Sequence, residues 1–366
     1  MISLKRTEIA VIGGGPAGLR AAAGAAALGA RVTLIDRGLK LGGQLVKQTH
    51  KFFGSEKQYA GVRGIEIANI LKEEVAKSDR IEFRLGATVL GLYDDRVLAI
   101  DQGDEFLTLG AEKFIVATGA SERMIPFPNN DLPGIYGAGA VQTLMNVEGV
   151  APGERVLMVG AGNIGLICTY QLLQAGVKVV AIVEAMPRVG GYTVHAAKVR
   201  RAKVPIYLSH TLKEARGTDC VEGATIWQLD EKGNPFCGTE KDFECDVICL
   251  AVGLSPLADL LWQAGCRMKY VPHLGGHVAI RDRYLETTVP GVYVAGDVAG
   301  VEEASSAMVE GYLAGLSAAL SLGYGGSDAA QRRDEALRQL DELRAGPVGE
   351  KIRQGLNLVM KEAAGQ

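Results

Sequence analysis

The sequence predicts an α/β fold with two doubly wound, parallel-sheet domains, and one repeated pattern leads to this prediction. An apolar strand from Glu8 to Ile12 runs into Gly13-Gly14-Gly15-Pro16-Ala17-Gly18, and a helix pattern of small residues follows until Gly29. The same order returns later in the chain, where the strand from Arg155 to Val159 runs into Gly160-Ala161-Gly162-Asn163-Ile164-Gly165. Strand–helix–strand units of this kind build parallel sheets with helices on both faces.

Each unit also has the spacing of a dinucleotide site. The second strand ends at Asp36 in the first unit and at Glu184 in the second. Each acid follows the last glycine of its motif at close to the ~20 residues that bring a carboxylate to an adenosine ribose. In each motif the first glycine turns the chain, the second lets the backbone approach a pyrophosphate, and the third packs helix on strand. These glycines are, in order, Gly13, Gly15 and Gly18, and Gly160, Gly162 and Gly165.

The remaining elements are placed by their apolar patterns. Residues 61–77 and 303–322 are predicted to be helices, and residues 81–93 and 97–100 to be antiparallel strands that cross over the first unit. Further short strands are expected at 113–116, 221–229, 246–251 and 291–295.

Composition narrows the class of protein. The chain has 366 residues, enough for two or three domains, and its 39 basic and 42 acidic residues leave a net charge of −3, which suggests neither nucleic acid nor an anionic membrane as a partner. The longest stretch of small apolar residues, 21–30, is far shorter than the roughly 20 residues that span a bilayer. A cytoplasmic enzyme without a membrane span is expected.

Three further segments carry a resemblance to a known family. They are Gly42-Gly43-Gln44, Ala117-Thr118-Gly119 and Val292-Tyr293-Val294-Ala295-Gly296-Asp297. With the two glycine motifs, and in this order, they resemble the pyridine-nucleotide–disulfide oxidoreductase superfamily, in particular its members of thioredoxin-reductase size. The resemblance implies two Rossmann-like dinucleotide-binding domains, the second inserted in the first, with FAD on the first and a nicotinamide nucleotide on the second. It also implies that Asp297 bonds the ribityl chain and that the helix starting at residues 302–306 directs its N-terminus at the flavin.

The same resemblance implies domain bounds and cofactor contacts. The FAD-binding domain comprises 1–122 and 251–326, the NAD(P)-binding domain 123–250, and a C-terminal helical tail 327–366. The implied FAD contacts are Gly13, Gly15, Pro16, Ala17, Gly18, Asp36, Arg37, Gly43, Gln44, Val89, Ala117, Thr118, Gly119, Gly296, Asp297 and Ala304. The implied contacts of the nicotinamide nucleotide are Gly160, Gly162, Asn163, Ile164, Gly165, Glu184 and Gly253. Glu184 favours NAD because a carboxylate repels a 2′-phosphate, and Arg188 leaves NADP open.

The cysteines argue against a disulfide reductase. None of the six forms Cys-x-x-Cys, and residues 42–50 contain none, although such reductases need two neighbouring cysteines for thiol–disulfide exchange. The Gly-Gly-Gln loop, Phe52-Phe53-Gly54 and residues 296–300 resemble the FAD/NAD-binding subunit of bacterial amino-acid dehydrogenase complexes, which include opine, hydroxyproline and sarcosine-type dehydrogenases and hydrogen cyanide synthase. This implies hydride exchange between nicotinamide and flavin, and a second flavoprotein subunit that oxidises the amine. Many members carry an iron–sulfur module, but this chain has no cysteine after Cys266, so whether iron–sulfur sits on another chain stays open.

Several alternatives remain at this stage. The second site could be structural or bind ADP or ATP, in which case the chain is an electron-relay or scaffold subunit. The partner could be a second copy of the chain, and the electron donor or acceptor a small molecule. No catalytic side chain can be named. His50 could serve in proton transfer near the flavin or make an ordinary polar contact, and His273 and His277 flank a Gly-Gly turn, so no metal site is expected.

The tail shows two amphipathic helix patterns on either side of Gly346-Pro347. Their apolar positions are Ala336, Leu337, Leu340 and Leu343, and then Ile352, Leu356, Val359 and Met360. These stripes either pack on their own chain or dock against a second subunit, since an apolar face needs cover.

Overall fold

The computed structural model of the protein describes residues 5–360, and residues 1–4 and 361–366, the end of the predicted tail, lie outside it. Two compact units are formed. Within the described residues, unit 1 comprises 5–46, 51–121 and 254–360, and unit 2 comprises 47–50 and 122–253. Unit 2 is thus inserted in the sequence of unit 1.

The strands are β1 (Lys5–Ile12), β2 (Val32–Asp36), β3 (Ile81–Leu85), β4 (Ala87–Leu92), β5 (Val97–Gln102), β6 (Glu105–Val116), β7 (Ala120–Glu122), β8 (Ile135–Gly137), β9 (Arg155–Val159), β10 (Lys178–Glu184), β11 (Ile206–Leu208), β12 (His210–Arg216), β13 (Gly223–Gln228), β14 (Lys241–Glu244), β15 (Val247–Leu250), β16 (Leu254–Pro256), β17 (Met268–Val271), β18 (Gly276–Ala279) and β19 (Val292–Val294). The helices are α1 (Pro16–Ala27), α2 (Gly64–Ala76), α3 (Ala138–Asn146), α4 (Asn163–Gln174), α5 (Thr193–Arg201), α6 (Asp259–Gln263), α7 (Ala304–Ser321), α8 (Ser327–Leu343) and α9 (Glu350–Asn357).

Unit 1 is built on a seven-stranded sheet. Strands β3, β2, β1 and β6 pair in parallel, in that order, and β19 adds to β6, also in parallel. The first half of β6 pairs with β5 in an antiparallel ladder, and β5 pairs likewise with β4. One long strand therefore belongs both to the parallel core and to the antiparallel crossover.

The alanine-rich composition of α1 is explained by its neighbour α7. A Cβ atom on Gly311 would lie 2.0 Å from the Ala17 carbonyl oxygen, and one on Gly315 would lie 2.2 Å from the Ala21 carbonyl oxygen. The two helix backbones therefore approach closely, which only small residues permit. This contact holds the first turn of α1 beside the chain that follows β19.

Unit 2 repeats the parallel arrangement in a five-stranded sheet, ordered β11-β10-β9-β15-β8 and parallel throughout. A separate antiparallel sheet, β12-β13-β14, accompanies it. The pairing of β9 with β10 shifts register between Val179 and Ala181, so this bulge absorbs one residue. The extra residue explains why the interval from Gly165 to Glu184 is one residue longer than the interval from Gly18 to Asp36.

The expectation for residues 81–93 is wrong in one respect. The segment forms two strands, and only β4 is antiparallel to its neighbour, whereas β3 is the parallel edge strand beside β2. Gly86 separates them with a left-handed backbone, φ +62°. Alternating apolar residues predict a strand but not the direction of its partner.

The tail helices pack on their own chain. On α8, Ala336 and Leu340 are buried in the core that α1 and α7 share. Leu356 and Val359, in and just after α9, are buried against Val271, Leu274 and Val278. Unit 1 covers these four positions, which contradicts the hypothesis that the stripes await a second subunit; Met360, the last position of the second stripe, is 37% exposed. Among residues 5–360, no helix combines the length and hydrophobicity that crossing a bilayer requires.

Candidate functional site

The first glycine motif forms a close turn between β1 and α1. A Cβ atom on Gly13 would lie 2.3 Å from the Ala117 carbonyl oxygen, and one on Gly18 would lie 1.7 Å from the Gly13 carbonyl oxygen. Gly15 differs, because its Cβ position meets only the Cα atom of Gly43, at 3.8 Å. The first and last glycines are thus required by the fold, whereas Gly15 leaves space above the backbone.

That space lies at the N-terminus of α1. Gly15 is the N-cap, Pro16 is the first helical residue, and no described side chain caps the helix. No acidic residue occupies the first turn, which includes Ala17. Unmet backbone N–H groups and the positive end of the helix dipole are what a pyrophosphate binds.

The Gly42-Gly43-Gln44 loop lies against this turn. The Gly42 N–H donates to the Gly14 carbonyl at 2.9 Å, and a Cβ atom on Gly43 would be 2.7 Å from the Cα atom of Gly15. Gln44 follows on the exposed side of the loop. The structure therefore brings together two segments that α1 and β2 separate in the sequence.

Asp36 ends β2 beside the same turn. Its carboxylate accepts hydrogen bonds from the Gly14 N–H at 2.5 Å and from the Gly38 N–H at 2.6 Å. A carboxylate offers about four lone pairs, so capacity remains for a ribose hydroxyl. The Gly86 N–H donates to the Gly38 carbonyl at 3.1 Å, which places the start of β4 next to Asp36. Val89 is half-buried on that strand, and Arg37 is exposed.

Ala117-Thr118-Gly119 continues β6 past the turn. The Ala117 N–H donates to the Ile12 carbonyl at 2.8 Å, which explains why Gly13 can carry no side chain. The Thr118 hydroxyl donates to the Leu257 carbonyl at 2.8 Å. These bonds tie the predicted segment to the first motif and to the returning chain of unit 1.

The Gly296-Asp297 turn, which follows β19, also lies next to the first turn of α1. A Cβ atom on Gly296 would be 2.8 Å from that of Ala17, so the turn packs on the first turn of α1. Helix α7 then starts at Ala304, with no side-chain cap among the described residues. Burial raises the pKa of Asp297 to about 7; a hydrogen bond from the Glu302 N–H opposes this, and the charges of Glu310 and Glu302 add to it.

Unit 2 repeats this geometry. A Cβ atom on Gly160 would lie 2.3 Å from the Ala251 carbonyl oxygen, and one on Gly165 would lie 2.1 Å from the Gly160 carbonyl oxygen. Around the Cβ position of Gly162 no described atom lies within 4 Å. Gly162 is the N-cap of α4, whose first residues are Asn163 and Ile164, and no described side chain caps it.

The acid of unit 2 is held in the same way as its counterpart. Glu184 accepts the Ala161 N–H at 2.7 Å and the Met186 N–H at 2.9 Å. Gly253 ends the chain that leaves β15, and its carbonyl accepts the Arg123 N–H at 2.9 Å. The predicted residues of the second unit therefore come together as those of the first do.

Two features of the unit 2 site were not predicted from the sequence: a second Gly-Gly pair and the position of Ala251. Gly190 and Gly191 donate to the Ala161 carbonyl at 3.1 and 2.9 Å, as Gly42 does to Gly14. The signal for this pair is present, because both Gly-Gly pairs start six residues after their acid. Ala251 was also missed, although its N–H bond to the Val159 carbonyl, 2.7 Å, matches that of Ala117 to Ile12.

His50 lies in unit 2, not in the unit to which FAD is assigned. Its ring centroid is 6.4 Å from that of His195. Burial, with the neighbouring His195 and Lys198, lowers the pKa of His50 to about 4. The ring centroid of His277 lies 5.5 Å from that of Trp262 and 5.1 Å from that of Tyr270. Nowhere in residues 5–360 do three metal-binding side chains gather.

None of the six cysteines, all of which fall within residues 5–360, forms a disulfide. Cys168 and Cys249 are fully buried, and the pKa of the Cys249 thiol is raised by its hydrogen bond with Cys168 and by burial. This neighbouring pair was not predicted, because one cysteine lies on α4 and the other on β15. A raised pKa disfavours the thiolate that disulfide exchange needs.

The backbone around Gly15 in unit 1 and around Gly162 in unit 2 forms a cradle, and both cradles fit dinucleotides. Each offers open space over the middle glycine, a helix N-terminus without a side-chain cap from the described residues, and a carboxylate with free lone pairs. The family model described as pyridine nucleotide-disulphide oxidoreductase matches residues 7–311. The chain belongs to this family. It is therefore an oxidoreductase of a family that depends on flavin and pyridine nucleotide.

Three relatives are similar over most of the chain. An opine oxidase subunit of Rhizobium meliloti is 27% identical over 86% of this chain and 63% of its own length. The HcnB subunit of hydrogen cyanide synthase from Pseudomonas protegens is 26% identical over 91% of this chain and 75% of its own. The alpha subunit of sarcosine oxidase from Corynebacterium sp. strain P-1 is 28% identical over 94% of this chain, but over only 34% of its own length.

Among solved structures, thioredoxin reductase of T. acidophilum is similar in fold. The TM-score is 0.71, the identity is 23%, and the match covers 87% of this chain and 99% of the other. This likeness agrees with two dinucleotide-binding domains, the second inserted in the first. The chain spans under two thirds of the opine oxidase subunit and about one third of the sarcosine oxidase subunit.

Proposed function

We propose that this protein is the FAD- and NAD-binding subunit of an amino-acid or amine dehydrogenase complex, which exchanges hydride between a nicotinamide cofactor and flavin without a redox disulfide. The names of three relatives support the class of complex: opine oxidase, hydrogen cyanide synthase and sarcosine oxidase, each represented by one subunit.

The observation that carries the proposal is that both units keep a complete cradle. A site retained only as a structural relic has no reason to preserve open space above Gly162 and an anchored carboxylate at Glu184. The second unit matches the first in each of these respects, which favours two nucleotides over one nucleotide and a scaffold.

The chain's own residues supply binding and charge. The N-terminus of α1 and the Gly42-Gly43 loop would hold the FAD pyrophosphate, Asp36 the adenosine ribose, and Asp297 the ribityl chain. A bound flavin supplies hydride exchange with nicotinamide and transfer of electrons to an acceptor. The N-terminus of α7 favours negative charge in front of it.

For the second nucleotide we propose NAD rather than NADP. Glu184 is held by two backbone N–H groups, which fix a negative charge beside the adenosine end of the cradle. A ribose hydroxyl donates to such a carboxylate, whereas a 2′-phosphate is repelled by it. Arg188 is exposed in the loop that follows.

A redox disulfide is left out of the proposal for a chemical reason. The neighbouring thiols, Cys168 and Cys249, are fully buried and the Cys249 pKa is raised, so neither is suited to exchange with a substrate disulfide. Electrons would instead reach the flavin from a second flavoprotein subunit that oxidises the amine, or leave it for a small acceptor.

One anaerobic experiment tests the proposal. The purified protein is reconstituted with FAD, NADH is added, and the flavin absorbance near 450 nm is followed. We expect bleaching by NADH, and no bleaching by sarcosine or an opine in the absence of a partner subunit. Unchanged absorbance with NADH would instead support the scaffold or ADP-binding alternative, and bleaching by an amine alone would contradict the role as an electron-transfer subunit.

A further inference from the structure

We infer that Arg344, at the end of α8, is a positioning residue for the flavin site: through Glu310 and Glu302 it holds the Gly296-Asp297 turn. The inference rests on the proposal that unit 1 binds FAD. It gives the C-terminal tail a role in cofactor binding, although the family match ends at residue 311.

Arg344 is bonded to two buried carboxylates at once. Its Nε and Nη2 donate to the two oxygens of Glu302 at 3.0 and 2.6 Å, and Nη2 also donates to Oε1 of Glu310 at 2.5 Å. Glu310 is 2% exposed. Two-point bonding of this kind fixes direction as well as distance, which a single point charge does not.

Glu310 and Glu302 are both hydrogen-bonded to the Gly296-Asp297 turn. The other oxygen of Glu310, Oε2, accepts the Gly296 N–H at 2.9 Å, and the Glu302 N–H donates to Asp297 at 3.4 Å. Gly296 in turn packs on Ala17 in the first turn of α1. An uninterrupted series of contacts therefore joins Arg344 to the residues that would hold the flavin.

Contacts between α9 and the end of α8 hold Arg344 in place. Arg353 of α9 donates to the Arg344 carbonyl and, at 2.9 Å, to the Gly346 carbonyl. A Cβ atom on Gly349 would be 2.0 Å from the Arg344 carbonyl oxygen, so the turn between α8 and α9 closes tightly behind the guanidinium.

The charges of the cluster show why this cation matters. Asp297, Glu302 and Glu310 face one another, with Arg344 and Arg281 as the two cations in their surroundings. Arg281 is 1% exposed, and its Nε and Nη1 lack a hydrogen-bond partner in the described structure. Of these two cations, Arg344 is thus the one with carboxylate hydrogen bonds in residues 5–360. Burial lowers the pKa of Arg344, but Glu310 and Glu302 outweigh this and raise it, so its charge persists.

Removal of the Arg344 charge should therefore weaken FAD binding to an extent that depends on pH. Without that charge, Asp297 and Glu302, whose pKa values burial already raises, keep their charge only at high pH, where they repel one another and the phosphate-bearing cofactor. At low pH they take up protons and the repulsion is relieved. Asp297 and Glu302 are the groups that take up protons, and Glu310, Arg281 and Arg344 are the other charged groups that face them.

The test measures the dissociation constant of FAD for apoprotein by quenching of flavin fluorescence, from pH 6 to pH 9. For Arg344→Met we expect affinity about tenfold weaker than wild type at pH 8.5 and within about twofold at pH 6. Arg344→Lys should recover part of the loss, since it keeps the charge but not the two-point geometry. Arg338→Met, which removes an exposed ion pair with Glu335 on the same helix, is the matched control and should bind as wild type does.

A second variant guards against misfolding. Arg344→Met with Glu310→Gln removes both charges of the pair, a change that buried pairs tolerate better than loss of one partner. We expect this double variant to fold, as circular dichroism of the apoprotein will report, and to show less pH dependence than Arg344→Met. Equal FAD affinity in wild type and Arg344→Met at every pH would overturn the inference, as would a uniform loss at every pH in both variants. Failure of wild type to bind FAD would instead contradict the proposed function.

Discussion

At the scale of single residues, the two glycine motifs contain glycines that the fold requires and glycines to which we assign a ligand-binding role. Gly13 and Gly18 face backbone atoms at 2.3 and 1.7 Å from a Cβ position, whereas Gly15 and Gly162 face open space. Substitutions at the two classes should therefore fail in different ways, and this difference can be measured.

Gly15→Val should give a folded but colourless protein, because the added side chain occupies the space assigned to the pyrophosphate. Gly162→Val should keep its flavin and lose bleaching by NADH. The two variants are controls for each other, and Gly18→Ala should reduce the yield of folded protein. Flavin content is read from absorbance, and folding from circular dichroism. Full flavin content in Gly15→Val would show that this assignment is wrong.

Glu184 should set the choice of nicotinamide nucleotide. At equal subsaturating concentrations, NADH should reduce the flavin of the wild type at least several-fold faster than NADPH. Glu184→Ala should narrow that ratio, because a hydrogen bond to the ribose and a repulsion of the phosphate are lost together. Glu184→Gln retains the shape of the side chain and removes its charge. It should therefore increase the rate of flavin reduction by NADPH more than it decreases the rate with NADH. Faster reduction by NADPH in the wild type would indicate that Arg188 governs the pocket.

Asp297 should make the apoprotein less stable as pH rises. Its carboxyl has a pKa raised to about 7 in the folded state, against an ordinary value of 3.8, so between these values the folded state binds more protons than the unfolded state. Stability therefore falls as pH increases through this window and stays low above it. Asp297→Asn should increase the free energy of unfolding by roughly 2 kcal/mol at pH 8, with the gain vanishing near pH 4. Asp104→Asn, on an exposed turn, should change little in denaturant titrations at either pH.

At the scale of elements, the tail helices are part of unit 1 rather than an appendage. Leu340 is 3% exposed and lies in the core shared by α1 and α7. Arg333 stacks on the ring of Tyr284, 3.8 Å from its centroid, and Gln58 donates to Gln339 at 3.0 Å. Both apolar and polar contacts therefore attach α8.

Leu340→Ala should destabilise the protein by about 2–4 kcal/mol, since it removes buried methyl groups and leaves a cavity. Leu358→Ala is the matched control, because Leu358 is 47% exposed and should change stability by less than about 0.5 kcal/mol. Truncation after Gly326 should cost flavin or solubility. A truncated protein that keeps its flavin and its melting temperature would contradict the packing described for α8.

The sequence was sufficient for elements whose signals are local. Gly13 to Asp36 and Gly160 to Glu184 each combine turn glycines, a helix pattern and a closing acid in one continuous segment, and both units form as predicted. The direction of β3 could not be read in this way, because its pairing depends on β2, on the far side of α2 in the chain. The proximity of Cys168 to Cys249 likewise depends on packing between a helix and a strand.

In the candidate site, too, residues with a local sequence signal were predicted and contacts between distant elements were not. Asp36, Glu184 and the motif glycines were predicted from spacing, and the structure gathers them with their predicted neighbours. The Glu302–Glu310–Arg344 cluster was not predicted, since it joins the start of α7 to the end of α8 and charged residues on a helix ordinarily face solvent. The two tail stripes were identified, but the surfaces that cover them, the α1–α7 core for the first and the residues around Leu274 for the second, carry no sequence pattern.

At the scale of the whole molecule, the two units can be followed separately because each contains one of the two tryptophans. Trp262 lies on α6 of unit 1 and Trp227 on β13 of unit 2. In Trp227→Phe the fluorescence melting curve reports unit 1, and in Trp262→Phe it reports unit 2. Added FAD should raise the unit 1 transition by several degrees, and NADH the unit 2 transition, since a ligand stabilises the state that binds it. A shift of the Trp227 signal alone on adding FAD would reverse the assignment of cofactors to units.

The pairing of β19 with β6 has a consequence for how the protein is made. The C-terminal half of β6 has its partner β1 at once, but its other neighbour is β19, and residues 122–253 of unit 2 lie between these two strands in the sequence. At about 5–20 residues per second, the ribosome needs on the order of 10–40 s to supply that strand. Nearly all of unit 2 emerges in the interval, and the nascent chain carries an open, apolar sheet edge until β19 arrives. On the proposed assignment, the flavin site is complete only after the second unit has been synthesised, because Gly296 and Asp297 follow β19. We expect the chain to be most prone to aggregation before that point.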